Sequence, residues 1–210
     1  MDSHSCKNRF AAITVVYAAL ALLHTLCLIL NVEGFISPFT KGLPIIFLCV
    51  CTCIWAREHP RVILALMFSF LGDYAAELSL PGHLAFHLQI IFFAAAQVCY
   101  ITEFLRYCGN KASGRRDGEG RGSLGDKALS LTPILCACYG VLVLTTAITS
   151  FFQHREHKKM IVAGAVTFAV SDSLILVRML TGGFPLDDTA VIVTYYLAQY
   201  LINIPLLAKR

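Results

Sequence analysis

Charge is scarce in this chain. Asp, Glu, Lys and Arg supply 14% of its 210 residues and hydrophobic residues 57%, with a mean hydropathy of +0.69. That excludes an ordinary soluble domain, in which about a quarter of residues are charged. Apolar stretches lie along the whole chain, so little is left over for a soluble unit. A bilayer core takes ~20 mostly apolar residues per helix, and residues 1–210 read as one integral membrane domain, an all-α polytopic transmembrane helical bundle.

Other absences narrow the reading. The first apolar run, Phe10 to Leu30 behind Lys7 and Arg9, has no A-x-A-like cleavage site at its end and is too long for a signal-peptide core. It reads as a retained first span. The nine cysteines lack the pattern of a disulfide framework, because Cys49, Cys51, Cys53, Cys99, Cys136 and Cys138 lie in apolar runs, where Cys packs as a small hydrophobe. Cys49-x-Cys51-x-Cys53 has neither a second ligand cluster nor the spacing of structural zinc, and His154 and His157 belong to a basic turn, so no metal is expected. The net charge of +4 is modest, and the basic residues stand beside spans, which reports topology and not nucleic acid.

Seven apolar segments are candidate spans: approximately Phe10 to Leu30, Leu43 to Ala56, Val62 to Leu80, Leu84 to Leu105, Ala128 to Phe152, Met160 to Leu180 and Thr189 to Ala208, the second being short. Each break carries the Pro, Gly or charge that ends a span. Residues 107–127 read as a flexible, solvated Gly/Arg-rich loop. Seven strict crossings place Lys7, Arg9, Arg57, Arg61 and this loop on one side and strand Arg155, Lys158, Lys159, Lys209 and Arg210 on the other. The positive-inside rule prefers that residues 107–153 return to their starting side, gathering nearly all loop Lys and Arg opposite Lys41 and the Asp187-Asp188 turn. A dip and return of Ala128 to Phe152 at Pro133 and Gly140 achieves this; the segment's hydrophobic length argues for a crossing.

Polar residues inside the spans are few. Asp73 closes S-F-L-G-D (69–73) near the middle of the third span, and Asp172 lies at similar depth in S-D-S (171–173). An ionised carboxylate at a helix centre costs ~2.5–3.5 kcal/mol on insertion scales. Either each Asp ties neighbouring helices together or the two form a functional pair, and the flanking Gly and Ser, which permit close helix approach, favour the pair. Desolvation penalises the charged form, so one of two facing carboxyl groups stays protonated while the other is ionised, the requirement for acid-base chemistry. Glu77 is one turn from Asp73, Gln97 and Tyr100 share a face, and Tyr196, Gln199 and Asn203 follow at i, i+3 and i+7 beside Tyr195. Together they suggest a polar interior facing a cavity. Lys41 reads as a phosphate ligand or an interfacial lysine, and Arg178 as a headgroup ligand or a snorkelling side chain.

These elements, K-G-L-P (41–44), S-F-L-G-D (69–73), F-A-A-A-Q-V-C-Y (93–100), Y-G (139–140), G-A-V-T-F-A-V-S-D-S-L (164–174) and Y-Y-L-A-Q-Y-L-I (195–202), resemble in order and spread the YhhN-type lysoplasmalogenase family. The resemblance implies hydrolysis of the vinyl ether bond of lysoplasmalogens to a fatty aldehyde and glycerophosphocholine or glycerophosphoethanolamine, with Asp73 and Asp172 catalytic and no cofactor. The expected partners are a lysophospholipid substrate and membrane lipids. Lys41, Gln97, Tyr100, Tyr195, Tyr196 and Gln199 are the candidate substrate-binding residues. Protonation of the alkene carbon gives an oxocarbenium ion, which a carboxylate stabilises and water attacks, much as paired carboxylates serve glycosidases. The chain departs from the family pattern in carrying Gln97 where His is usual, Gln89 where Gly is expected, and seven apolar segments where eight spans are expected. Losing one crossing inverts the Asp172 helix relative to the Asp73 helix. A lysolipid-binding protein without turnover and a proton-coupled transporter are the alternatives, the latter weakened by the lack of inverted repeats. The short second span and Cys-rich helices fit an endoplasmic reticulum membrane.

Overall fold

The computed structural model describes residues 3–30, 36–81, 83–108, 131–183 and 185–207. They form seven helices: α1 (Ser3–Ile29), α2 (Ile36–Trp55), α3 (Pro60–Ala76), α4 (Leu84–Leu105), α5 (Leu131–Phe152), α6 (Lys158–Thr181) and α7 (Asp187–Leu207). The protein is an all-α polytopic membrane bundle. Five of these helices (α1, α4, α5, α6 and α7) hold apolar stretches long enough to cross a bilayer. The 107–127 loop lies outside the described residues from 109 onward.

Two spans differ from their apolar cores. Helix α2 begins at Ile36, ahead of its apolar run, and continues through Gly42 and Pro44; its apolar stretch, Phe39–Trp55, is shorter than those of the five, as the sequence leads one to expect. Gly42 earns its place there: a Cβ would stand 2.5 Å from the Phe70 ring of α3. Helix α3 stops at Ala76, with Glu77 as its C-cap. Residues 78–80 leave in a turn ahead of Pro81, which disfavours helical backbone in the residue before it. Asp73 therefore lies in the last turn of α3 instead of mid-span, while Asp172 is nine residues before the end of α6.

Contacts between helix ends fix their directions. Arg9 of α1 lies over the Trp55 ring at the end of α2, and His59, before α3, bonds Glu103 at the end of α4. Just beyond α4 and α5, the His154 N–H donates to the Tyr107 carbonyl at 3.0 Å, and Arg155 Nη2 reaches Glu103 Oε1 at 2.7 Å. The ends of α4 and α5 thus meet, so these two helices run parallel and the start of α5 lies at the opposite end of the bundle. Helix α5 is continuous through Gly140, so it crosses and does not dip and return. The charge bias is satisfied all the same: Arg9, Arg57, Arg61, Arg106, Arg155, Lys158 and Lys159 gather at one end, with Lys41, Glu77, Arg178, Asp187 and Asp188 at the other. As a result α3 and α6 point the same way, and the inversion expected from a lost crossing does not occur.

Helices α6 and α7 pack closely. A Cβ on Gly164 would lie 2.8 Å from the Ile202 backbone nitrogen, the near approach that small residues give membrane helices. Farther along, Ser171 Oγ donates to the Val191 carbonyl at 3.0 Å.

Candidate active site

Asp172 projects from α6 toward α5, where the Tyr139 hydroxyl donates to its Oδ2 at 2.9 Å. Both residues line a cavity of about 750 Å³ between α4, α5 and α6, whose wall also includes Gln89, Phe93, Ser173 and Leu176. That volume falls in the ~300–1,000 Å³ range of small-molecule sites, and the lining has their character, apolar with a few convergent polar groups. Val141, Leu144 and Leu176 also stand on the outer surface of the described bundle, at 50% exposure or more. The cavity therefore adjoins the side of the bundle that a bilayer covers.

Asp73 lies behind this wall. It is 3% exposed and accepts the Tyr195 hydroxyl hydrogen on Oδ2 at 2.8 Å. Phe93 separates it from the cavity: its ring centroid is 5.8 Å from that of Tyr195 and 6.5 Å from that of Phe168, both nearly edge-on. Gly72 admits the Phe93 ring, which would stand 3.0 Å from any Cβ there. The two aspartates thus occupy separate polar spots, Asp172 on Tyr139 and Asp73 on Tyr195, with the Phe93 ring on the cavity side of Asp73.

The remaining candidates divide into three groups. Tyr100 and Gln199 do not line this cavity; both are fully buried, joined by a Tyr100 Oη to Gln199 Oε1 bond of 2.9 Å. Gln199 Nε2 donates to Ser69 Oγ at 3.1 Å and Asn203 Nδ2 to Tyr100 Oη at 3.2 Å, closing a network among α3, α4 and α7. The polar face of α7 is therefore packed against α3 and α4, with Asn203 Oδ1 alone on it left without a partner among the described residues. Lys41 pairs with Glu77 at 2.8 Å, and Tyr196 Oη donates to the Lys41 carbonyl at 2.8 Å, so these two sit at the same end of the bundle as Asp73. Gln97 is buried beside the Tyr139 hydroxyl and bears on its oxygen, although neither atom of its amide makes a hydrogen bond of ordinary geometry among the described residues.

Arg178, read as a headgroup ligand or a snorkelling side chain, pairs with Asp187 at 3.3 Å and with Asp188. Among the described residues no three His, Cys, Asp or Glu side chains form a metal-holding group. Sequence reasoning missed Tyr139 as a site residue, since a tyrosine alone in an apolar run has no polar neighbour one turn away. It also missed the buried Glu103–His59–Arg155 cluster, although Glu103 extends the Gln97 and Tyr100 face by another three residues.

The sequence profile of the YhhN family, which includes lysoplasmalogenases, matches residues 36–118 and 125–206. No curated protein and no solved structure matches the chain.

Proposed function

We propose, from the premise that the chain belongs to the YhhN family, that it hydrolyses the vinyl ether bond of lysoplasmalogens. The products are a fatty aldehyde and glycerophosphocholine or glycerophosphoethanolamine. The observation that carries this reading is the apolar cavity with the Asp172 carboxyl and Tyr139 hydroxyl set into its wall. Such a site suits a single acyl-type chain whose reactive bond lies just below a polar headgroup.

In the proposed reaction Asp172 is protonated and gives its proton to the alkene carbon remote from the ether oxygen. The π electrons form the new C–H bond, and positive charge spreads over the other carbon and the oxygen. Water adds to that carbon and loses a proton to the Asp172 carboxylate, restoring the acid. The hemiacetal then breaks its bond to the glycerol oxygen, which takes a proton as the aldehyde forms; one water is consumed. Tyr139 holds Asp172 Oδ2, and Oδ1 is the oxygen assigned to the substrate. Asp73, fixed by Tyr195 behind Phe93, acts on the cation through its field, which is strong where water is excluded.

Purified protein in detergent should release aldehyde from a lysoplasmalogen and none from the saturated ether analogue. Saturable binding of both lipids without aldehyde would favour the second reading, lysolipid binding without turnover, to which the closure of Asp73 from the cavity lends support. Residence in the endoplasmic reticulum is part of the proposal and rests on the Cys-rich helices and the short apolar stretch of α2.

A further inference from the structure

Gln97 is 1% exposed, and neither Oε1 nor Nε2 of its amide has a hydrogen-bond partner among the described residues. A primary amide offers two donors and two acceptor lone pairs. An apolar side chain of similar size is preferable in such a place unless something uses those groups. The amide's surroundings suggest what does. Its N–H side approaches the oxygen of the Tyr139 hydroxyl, whose hydrogen goes to Asp172; that oxygen has two lone pairs, so one is left to offer beside the Gln97 Oε1. One helical turn away on the same α4 face, Phe93 lines the cavity. A polar pocket with two or more partners is what a buried water requires, and such waters typically make about three hydrogen bonds.

We propose that Gln97, with the Tyr139 oxygen, holds the water that attacks the oxocarbenium ion. This deepens the proposed hydrolysis and rests on it: Asp172 supplies the proton, and Gln97 positions the nucleophile from the buried side of the cavity. Gln153 provides a built-in control. Its amide is equally buried and unpaired, but it follows α5 at the basic end, away from Asp172.

The test compares wild type with Gln97→Leu, Gln97→His and Gln153→Leu in D₂O, measuring aldehyde release and deuterium in recovered lysoplasmalogen. Gln97→Leu should lower kcat about 100-fold with KM within about threefold, as loss of orientation does. Protonation should persist in that variant. The ion, lacking its nucleophile, gives a proton back after rotation about the new single bond, so recovered substrate gains deuterium at the vinyl carbon. Gln97→His, which keeps one donor and one acceptor, should recover most of the rate, and Gln153→Leu should match wild type. Wild-type turnover retained in Gln97→Leu would overturn the inference, as would a loss of rate without deuterium in the recovered substrate. An inactive wild type would instead overturn the hydrolase reading itself, so the two failures are distinguishable.

Discussion

Replacing Glu103 by alanine tests the contact that sets α5 parallel to α4. Glu103 is fully buried; its Oε1 receives His59 Nδ1 at 2.8 Å and Arg155 Nη2 at 2.7 Å, while Arg61 approaches Oε2 at 3.8 Å. The alanine variant loses both short charge-assisted bonds and leaves the Arg155 guanidinium, 6% exposed, without its counter-charge. Its stacking over Tyr107, 3.4 Å from guanidinium carbon to ring centroid, remains. Removing one partner of a buried pair costs ~3–5 kcal/mol. At roughly 2–4 °C per kcal/mol for a chain of this size, Tm should fall by about 6–20 °C. Glu103→Gln keeps an acceptor at the same place and should lose about half as much. The assay is thermal unfolding in detergent followed with a thiol-reactive dye, which reads buried cysteines such as Cys51 as they become accessible. A fall under about 2 °C for alanine, or equal falls for both variants, would refute the contact as a stabilising element.

Gly164→Ala should destabilise by about 1–3 kcal/mol, the usual cost of overpacking, because its Cβ meets the Ile202 and Leu201 positions at 2.8–2.9 Å. Gly140→Ala, with nothing within 4 Å, is the control and should unfold no earlier than wild type. Tyr139→Phe removes one hydrogen bond to Asp172 and should lower kcat/KM for aldehyde release by roughly 5- to 150-fold, matching ~1–3 kcal/mol; an unchanged value would leave Tyr139 without a role. Cysteines introduced at Arg57, Arg106 and Glu156 should react with an impermeant thiol reagent from one side of sealed vesicles and a cysteine at Leu186 from the other. Reaction of positions 57 and 186 together, opposite 156, would restore strict seven-fold alternation.

Asp172 was legible in the sequence because an acid amid Phe, Val, Leu and Ile has no cheap explanation in a membrane. Asp73 was legible as a residue but not as a position: its placement depends on where α3 ends, and apolar residues continue past that end to Leu80. The parallel course of α4 and α5 showed only indirectly, as a charge distribution that strict alternation left inconsistent. Composition distinguishes a packed polar face from a cavity-lining one least of all. Gln199 and Tyr100 satisfy each other, whereas Asp172, Tyr139 and Gln89 line the open space, and only tertiary contacts separate the two cases. The Glu103 cluster depends on three distant segments whose charges look like ordinary flanking residues when read in order.

The most direct measurement is aldehyde release from a lysoplasmalogen by purified Asp172→Asn protein beside wild type, with lysolipid binding measured on both. An amide cannot donate an acidic proton, and general acid catalysis is worth about 10²- to 10⁴-fold. The proposed chemistry therefore predicts a rate lowered by at least about 100-fold with binding retained. Release by Asp172→Asn at the wild-type rate would contradict it.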